Sequence, residues 1–308
     1  MKSIKQIKPD IMHSFTPKAG LICAIAGYLC HTRFRIHTFT GLIFPYRKLL
    51  FKQILIYVDK LICKLNTHII AEGEGVKRQL IDANIITENI HIIGNGNIAG
   101  VDTDQYHLLN PEIKEKTKLL IKQLRIDSKS YYFIFIGRFN NEKGINELLW
   151  SFQNLGTNNV KLILVGDFER NDSFSKHVKK NYFSDENIYF VGWQSDIRPY
   201  LSISDCLILP SYREGFPNVV LQAGAMGIPS IVTNVTGSNE IITNDYNGWI
   251  VPPKNKIALV NQMRIVMNCS KNELKTIGRN ARKNIKEKYE KTYYQKALVR
   301  FYDNLQID

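Results

Sequence analysis

Short apolar runs of three to five residues alternate along the chain with longer stretches in which apolar positions recur every three or four residues. The first pattern is that of strands buried on both faces and the second that of helices with one face turned inward, so the alternation predicts a parallel α/β architecture. Strands are expected at residues 11–14, 35–38, 68–71 and 90–93, and after a gap at 132–136, 161–165, 188–191, 206–209, 230–233 and 249–251. The gap separates a first domain, residues 1–107, from a second, residues 108–285, each with its own sheet. Beyond Lys254 only helical spacing is found, ending in a segment from 289 to 305. No internal repeat or low-complexity tract is evident.

The densest chemistry lies between the strand at 206–209 and Trp249. Pro210-Ser211-Tyr212-Arg213-Glu214-Gly215-Phe216-Pro217-Asn218 joins that strand to a helix expected to begin near Pro217. Such a turn points backbone N–H groups and a positive helix end into one crevice, which suits a diphosphate. Glu214 stands just before the turn and Gln222 about two helical turns after it. Small residues at Ala223, Gly224, Ala225 and Gly227 let this helix lie close against its sheet.

A second piece comes earlier. The strand at 132–136 ends in Gly137-Arg138-Phe139-Asn140-Asn141-Glu142-Lys143-Gly144, and helical spacing follows through Ile145, Leu148, Leu149 and Phe152. A strand end with Arg138, and Lys143 at the next helix start, sets two cations where parallel sheets place their ligands. Taken singly these are also what solvated loop charges look like.

Together the two pieces resemble the retaining glycosyltransferases of family 4. Further matching segments are Leu164-Val165-Gly166-Asp167, Phe190-Val191-Gly192-Trp193, Val219-Val220-Leu221-Gln222-Ala223, the stretch 237–242, and Asn247-Gly248-Trp249-Ile250-Val251-Pro252-Pro253. The resemblance implies the GT-B fold, two Rossmann-like parallel-sheet domains facing across a cleft, with a last helix, 286–308, crossing back to the first domain. It makes Arg138 and Lys143 the groups that stabilise the leaving nucleoside diphosphate, and Glu214 the group that orients the donor sugar or its phosphates. Donor contacts would come also from Gly137, Trp193, Gln222 and the backbone of Gly215, Phe216, Pro217, Asn218 and Val219.

The sequence departs from the family in three places, two of them at the donor motif and the start of the chain. The second glutamate of the family's Glu-x7-Glu motif is Gln222, whose amide can still accept one hydrogen bond from a ribose hydroxyl while donating another. The chain also opens in a segment, residues 9–20, that resembles the middle of the family's first domain. At about 30 residues per strand-helix unit, roughly 60–80 residues of that domain are expected to be absent, leaving the acceptor-side domain incomplete.

On the acceptor side, a histidine that in the family faces the donor sugar is matched by Thr40 in Arg35-Ile36-His37-Thr38-Phe39-Thr40-Gly41-Leu42. His37 lies two residues earlier, on the same side of an extended strand. His13 and Lys18, near the start of the helix that follows the first strand, are further candidates; for the histidines a satisfied structural role is an equal alternative. The Thr-Gly-Leu variant resembles subfamilies acting on polyprenyl-diphosphate-linked sugars. Asp102-Thr103-Asp104 spells a metal-binding Asp-x-Asp, yet it stands where the family has its interlobe connector, and a capped turn is the better reading. No metal is expected to be required.

Composition narrows the partners. The chain carries a net charge of +13, with Lys and Arg in excess over residues 1–100 and 251–308 but not over 131–250. No aromatic-interleaved basic stripe and no zinc spacing accompany the charge, so nucleic acid is disfavoured. Five scattered cysteines, Cys23, Cys30, Cys63, Cys206 and Cys269, read as reduced thiols in a cytoplasmic protein. The basic, apolar helix expected over residues 47–64 packs its apolar side on the first sheet or rests on an anionic membrane surface, and both can hold, with Lys48, Lys52, Lys60 and Lys64 outward.

The expectation is therefore a retaining transferase that moves a sugar from a nucleotide-sugar, a UDP-sugar, to a glycan or polyprenyl-diphosphate-linked glycan in surface polysaccharide synthesis. It would work in the cytoplasm, at the inner face of the membrane. The alternative is an inactive or split-chain remnant that binds the donor without transferring it.

Overall fold

The computed structural model describes residues 1–46, 48–156, 159–169 and 173–305. Arg47, which opens the predicted basic helix, and residues 306–308 of the predicted last helix lie outside them. The chain forms two compact units, Met1–Gly100 with Lys291–Asp308, and Val101–Glu290.

The first unit runs α1 (Lys2–Ile7), β1 (Ile11–Ser14), α2 (Pro17–Leu29), β2 (Phe34–Phe39), α3 (Leu49–Leu65), β3 (His68–Ala71), α4 (Glu74–Asp82) and β4 (Ile90–His91). The four strands pair in parallel in the order β1-β2-β3-β4. Period-two alternation divides them between two faces: Ile69 and Ala71 join Phe39, Ile62 and Leu80 on one side, and Ile36 and Ile70 join Ile93 on the other. Strand β4 is shorter than the sequence predicts, because the chain turns away after His91. Gly94 sits at φ 60°, and the Gly96 N–H donates to Ile93 O at 3.1 Å.

The second unit contains α5 (Pro111–Leu124), β5 (Tyr131–Ile136), α6 (Ile145–Gln153), β6 (Val160–Val165), α7 (Ser173–Tyr182), β7 (Ile188–Gly192), α8 (Arg198–Ser202) and β8 (Cys206–Leu209). It continues through α9 (Asn218–Ala225), β9 (Ser230–Thr233), α10 (Ser238–Ile241), β10 (Gly248–Val251), α11 (Lys256–Asn268) and α12 (Lys271–Lys288). Its six strands are parallel in the order β10-β9-β8-β5-β6-β7. Phe133, Ile134, Phe135, Leu162, Ile163 and Leu164 are fully enclosed, as continuous apolar strands covered on both faces must be. Ala223 and Ala225 are buried in the core shared with the sheet, while Gly224 lies under Ile285 and Gly227 against Gly278, so α12 crosses α9 closely.

The last helix, α13 (Lys291–Asp303), groups with the first unit. Its Tyr294, and Leu305 just beyond it, close the Ile36, Ile70 and Ile93 face of that unit's sheet.

Candidate active site

In the second sheet the chain adds β6 and β7 on one side of β5, then returns to place β8, β9 and β10 on the other. The order therefore reverses between β5 and β8, and the crevice beyond the carboxyl ends of two such strands is where open α/β sheets bind ligands. Arg138 and Lys143 follow β5, and Glu214 follows β8.

Their loops are fastened to each other. A 3₁₀ turn, Asn141–Lys143, is capped by Asn140, whose Oδ1 accepts from the Lys143 N–H at 2.9 Å. Gly144 follows at φ 68° with its bare Cα against the Pro210 carbonyl, where any Cβ would collide. The Tyr212 N–H donates to Glu142 O at 2.8 Å, and Arg213 Nε and Nη2 both donate to Glu142 Oε2, at 2.9 and 2.6 Å. This brings Lys143 Nζ to Glu214 Oε1 at 2.6 Å, with side chains 23% and 10% exposed.

Arg138 lies further out. Its Nη1 donates to Glu169 Oε1 at 2.8 Å, and Asn140 Nδ2 donates to Glu169 Oε2 at 2.6 Å. Glu169 belongs to the loop after β6, and both members of its pair with Arg138 are exposed.

A third loop, after β9, closes on the glycine turn. Gly237, at φ 78°, backs onto the Gly215 carbonyl with no room for a side chain, and Thr233 Oγ1 donates to Ser211 O at 2.5 Å. Helix α9 starts behind Pro217 with no side-chain cap, so its positive end faces this junction. Phe216 is buried beside Tyr289 and offers the site only its backbone. Gln222 Nε2 donates to the Tyr106 hydroxyl at 2.9 Å; burial raises the pKa of that phenol. Trp193 is 70% exposed. The Asp102 carboxylate accepts from the Asp104 and Gln105 N–H groups, which is a capped turn. Among the described residues no group of three His, Cys, Asp or Glu is arranged to hold a metal ion.

In the first unit His13 is held at both ring nitrogens, Nδ1 by the Tyr302 hydroxyl and Nε2 by Thr38 Oγ1, each at 2.7 Å. His37 is interior, with Nδ1 2.9 Å from Ser14 Oγ and its ring against Gly20. Burial lowers both histidines to about 4, and for His37 the nearby His13 adds to the effect. Thr40 Oγ1 donates to Phe15 O at 3.2 Å, and Lys18 is exposed at the start of α2.

Glu169, Tyr106 and Tyr302 were not foreseen. Glu169 follows a strand end, so the rule that picked Arg138 would have found it. Tyr302 stands 289 residues from His13 and Tyr106 stands 116 from Gln222; nothing local in the sequence announces either pairing.

The family model of glycosyl transferases group 1 matches residues 116–284, which contain the whole β5–β8 junction. The chain belongs to this family. Among curated relatives, the glycosyltransferase is 31% identical over 300 residues to the capsular polysaccharide biosynthesis glycosyltransferase CapM of Staphylococcus aureus, covering 96% of this chain and 77% of CapM. It is 28% identical over 263 residues to the UDP-Gal:alpha-D-GlcNAc-diphosphoundecaprenol alpha-1,3-galactosyltransferase of Escherichia coli, covering 81% of this chain and 64% of the relative. Among solved structures, HepE of Anabaena in complex with UDP superimposes with a TM-score of 0.84 at 20% identity, over 98% of this chain and 81% of HepE. At that identity the likeness is one of fold, and the group 1 glycosyltransferase has the two parallel α/β sheets of the GT-B class.

Proposed function

We propose that the chain is a retaining glycosyltransferase that takes a sugar from a UDP-sugar and delivers it to a lipid-linked glycan during surface polysaccharide synthesis. The observation that carries this reading is the Lys143–Glu214 pair at the strand-order reversal, beside the uncapped start of α9. The donor diphosphate sits against Lys143, Arg138 and the amides of Gly215 to Val219. It displaces Glu169 from Arg138, the more exposed of the two ion pairs. Glu214 stays, and its carboxylate accepts from hydroxyls of the transferred sugar.

The acceptor hydroxyl attacks the anomeric carbon on the face the diphosphate is leaving, so configuration is retained. The C–O bond to the phosphate breaks as the bond to the acceptor forms, and the acceptor proton passes to the departing phosphate oxygen. Lys143 and Arg138 oppose the charge that grows there, the usual largest contribution to such a transition state. With two side-chain cations in that role, turnover is expected to survive EDTA.

The uridine donor is favoured by the UDP seen in HepE and the UDP-Gal named for the Escherichia coli relative. That relative's diphosphoundecaprenol acceptor favours a lipid-linked substrate here. Helix α3 adds a membrane-surface reading: Leu49, Leu50, Phe51, Ile54 and Tyr57 are 75, 80, 52, 52 and 71% exposed, among Lys48, Lys52, Lys60 and Lys64. Among the described residues no helix is long and apolar enough to cross a membrane, so contact would be interfacial. The experiment is UDP release from a panel of UDP-sugars, with and without polyprenyl-diphosphate-linked acceptors, by the chain and its Lys143→Ala variant. Donor binding with no release on any acceptor would favour the binding remnant, and release unaffected by Lys143→Ala would remove the proposed phosphate site.

A further inference from the structure

At the opposite end of α9 from the Lys143–Glu214 pair, about 12 Å along the helix axis, the second unit has a cavity of about 620 Å³. Its floor is Met226, 2% exposed, and Gly227 at φ 74°. One wall is the connector His107-Leu108-Leu109, whose leucines are 41 and 66% exposed. The other wall is α12, which presents Lys275, Arg279 and Arg282 to the same space. These follow at i, i+4 and i+7, one face of a helix.

The Asp104 carboxylate acts on Arg282 and His107, and among the described residues the other two cations of this cavity have no such counterpart. No Asp or Glu lines it, and among the described residues Lys275 and Arg279 form no ion pair. Arg279 reaches only Lys275 O and Thr276 Oγ1, at 3.3 and 3.2 Å. Arg282 gives its guanidinium to the carbonyls of Thr103, Tyr106 and Ala225, which fastens the connector to α9 and α12 and leaves its charge in place. The neighbouring cavity along α12, about 510 Å³, has the reverse character: Asp245 and Glu273 line it, and no Lys or Arg does. The two cavities thus flank the same stretch of α12 on different faces, one lined by cations and the other by carboxylates.

We propose that the Leu108–Arg279 cavity binds an amphiphilic phosphate, its anionic head on Lys275 and Arg279 and its hydrocarbon chain along Leu108, Leu109 and Met226. The volume is that of a small-molecule site. The apolar wall has no function for a free phosphate, and the lining has no Phe, Tyr or Trp ring on which a nucleotide base would stack, only the His107 imidazole.

The test is calorimetric titration of the full chain with dodecyl phosphate below its micellar concentration, beside inorganic phosphate and the uncharged dodecyl maltoside. Dodecyl phosphate is expected to bind at least about tenfold tighter than either, and the Lys275→Ala/Arg279→Ala variant to lose about tenfold or more, the worth of one charged hydrogen bond. Leu109→Asn, at an exposed position, should weaken dodecyl phosphate and leave inorganic phosphate unchanged. Inorganic phosphate binding as well as the alkyl ester would overturn the amphiphile, and maltoside binding as well would overturn the anionic head. A double variant that melts like the parent and binds like it would overturn the assignment to these two residues.

Discussion

Lys143 Nζ donates to Glu214 Oε1 at 2.6 Å across 71 residues of sequence, joining the loops of the two strands where the second sheet reverses its order. In the proposed reaction the cation faces phosphate and the carboxylate faces sugar, so the two should fail differently. Lys143→Ala is expected to weaken UDP binding and lower kcat/KM by about 10²–10³-fold. Glu214→Gln should leave UDP affinity within a few-fold and lower kcat. Removing Lys143 alone also leaves a carboxylate that is 10% exposed without its cation, which destabilises. Thermal melting should show Lys143→Ala less stable than Lys143→Met/Glu214→Gln. Identical UDP affinities for the two single variants would contradict the division of roles.

Arg138 offers the complementary case. Its pair with Glu169 is exposed on both sides, 64 and 39%, and such pairs contribute about 0–1 kcal/mol. Arg138→Ala should therefore melt within a few degrees of the parent. Its kcat/KM should nonetheless fall by about 10²-fold, because the role proposed for the arginine is to oppose charge that grows in the transition state. Glu169→Gln, which frees Arg138 in advance, should tighten UDP binding. A variant of Arg138 with full activity would place the diphosphate elsewhere.

The reach of the sequence can be judged from the same residues. Strands β1, β3, β8 and β9 lie where the sequence puts them; β8 and β9 are buried throughout, and a strand covered on both faces has little other composition available. Lys143 and Glu214 were legible as well, since each sits in the loop that joins a strand to the next helix and the motifs carry both. Their 2.6 Å contact was not, because it depends on β5 pairing with β8, a matter of strand order. The partners of His13 and Gln222 were hidden for the same reason: Tyr302 and Tyr106 arrive through tertiary packing. Helix α3 was ambiguous between core and surface, and the structure gives it both, with Ile62 fully buried and Leu50 80% exposed.

That exposed face of α3 leads to a prediction about lipid. Apolar side chains flanked by lysines should bind vesicles containing anionic lipid and release them as salt rises. Flotation with phosphatidylglycerol vesicles should recover the chain, and neutral phosphatidylcholine vesicles should recover much less. Lys52→Glu/Lys60→Glu is expected to weaken vesicle binding by about thirtyfold or more, at about 1 kcal/mol for each of the two basic residues lost near the surface. Leu50→Asp should lower it at any salt concentration. Turnover of a soluble acceptor should be unchanged in both variants, since α3 is given no part in donor binding. Equal recovery on neutral and anionic vesicles would remove the electrostatic half of the reading.

His13 and His37 make stability depend on pH in a stated direction. Their pKa values fall from the ordinary 6.5 to about 4 in the folded chain, chiefly through burial. Between those two values the unfolded chain binds protons that the folded chain does not, so stability is complete above about 6.5 and declines as pH falls towards 4. Asp59 acts in the opposite sense: burial pushes its pKa from 3.8 up to about 7, so its contribution falls as pH rises across that interval. The parent's profile therefore mixes the two, and a difference between variants separates them. His13→Gln can keep a hydrogen bond to Thr38 or Tyr302 and cannot titrate. Its melting temperature should fall less than the parent's between pH 7 and pH 5, at fixed ionic strength. Parallel profiles would mean that His13 titrates normally in the folded chain, and that the hydroxyls of Tyr302 and Thr38 do not hold it in a dry, neutral form.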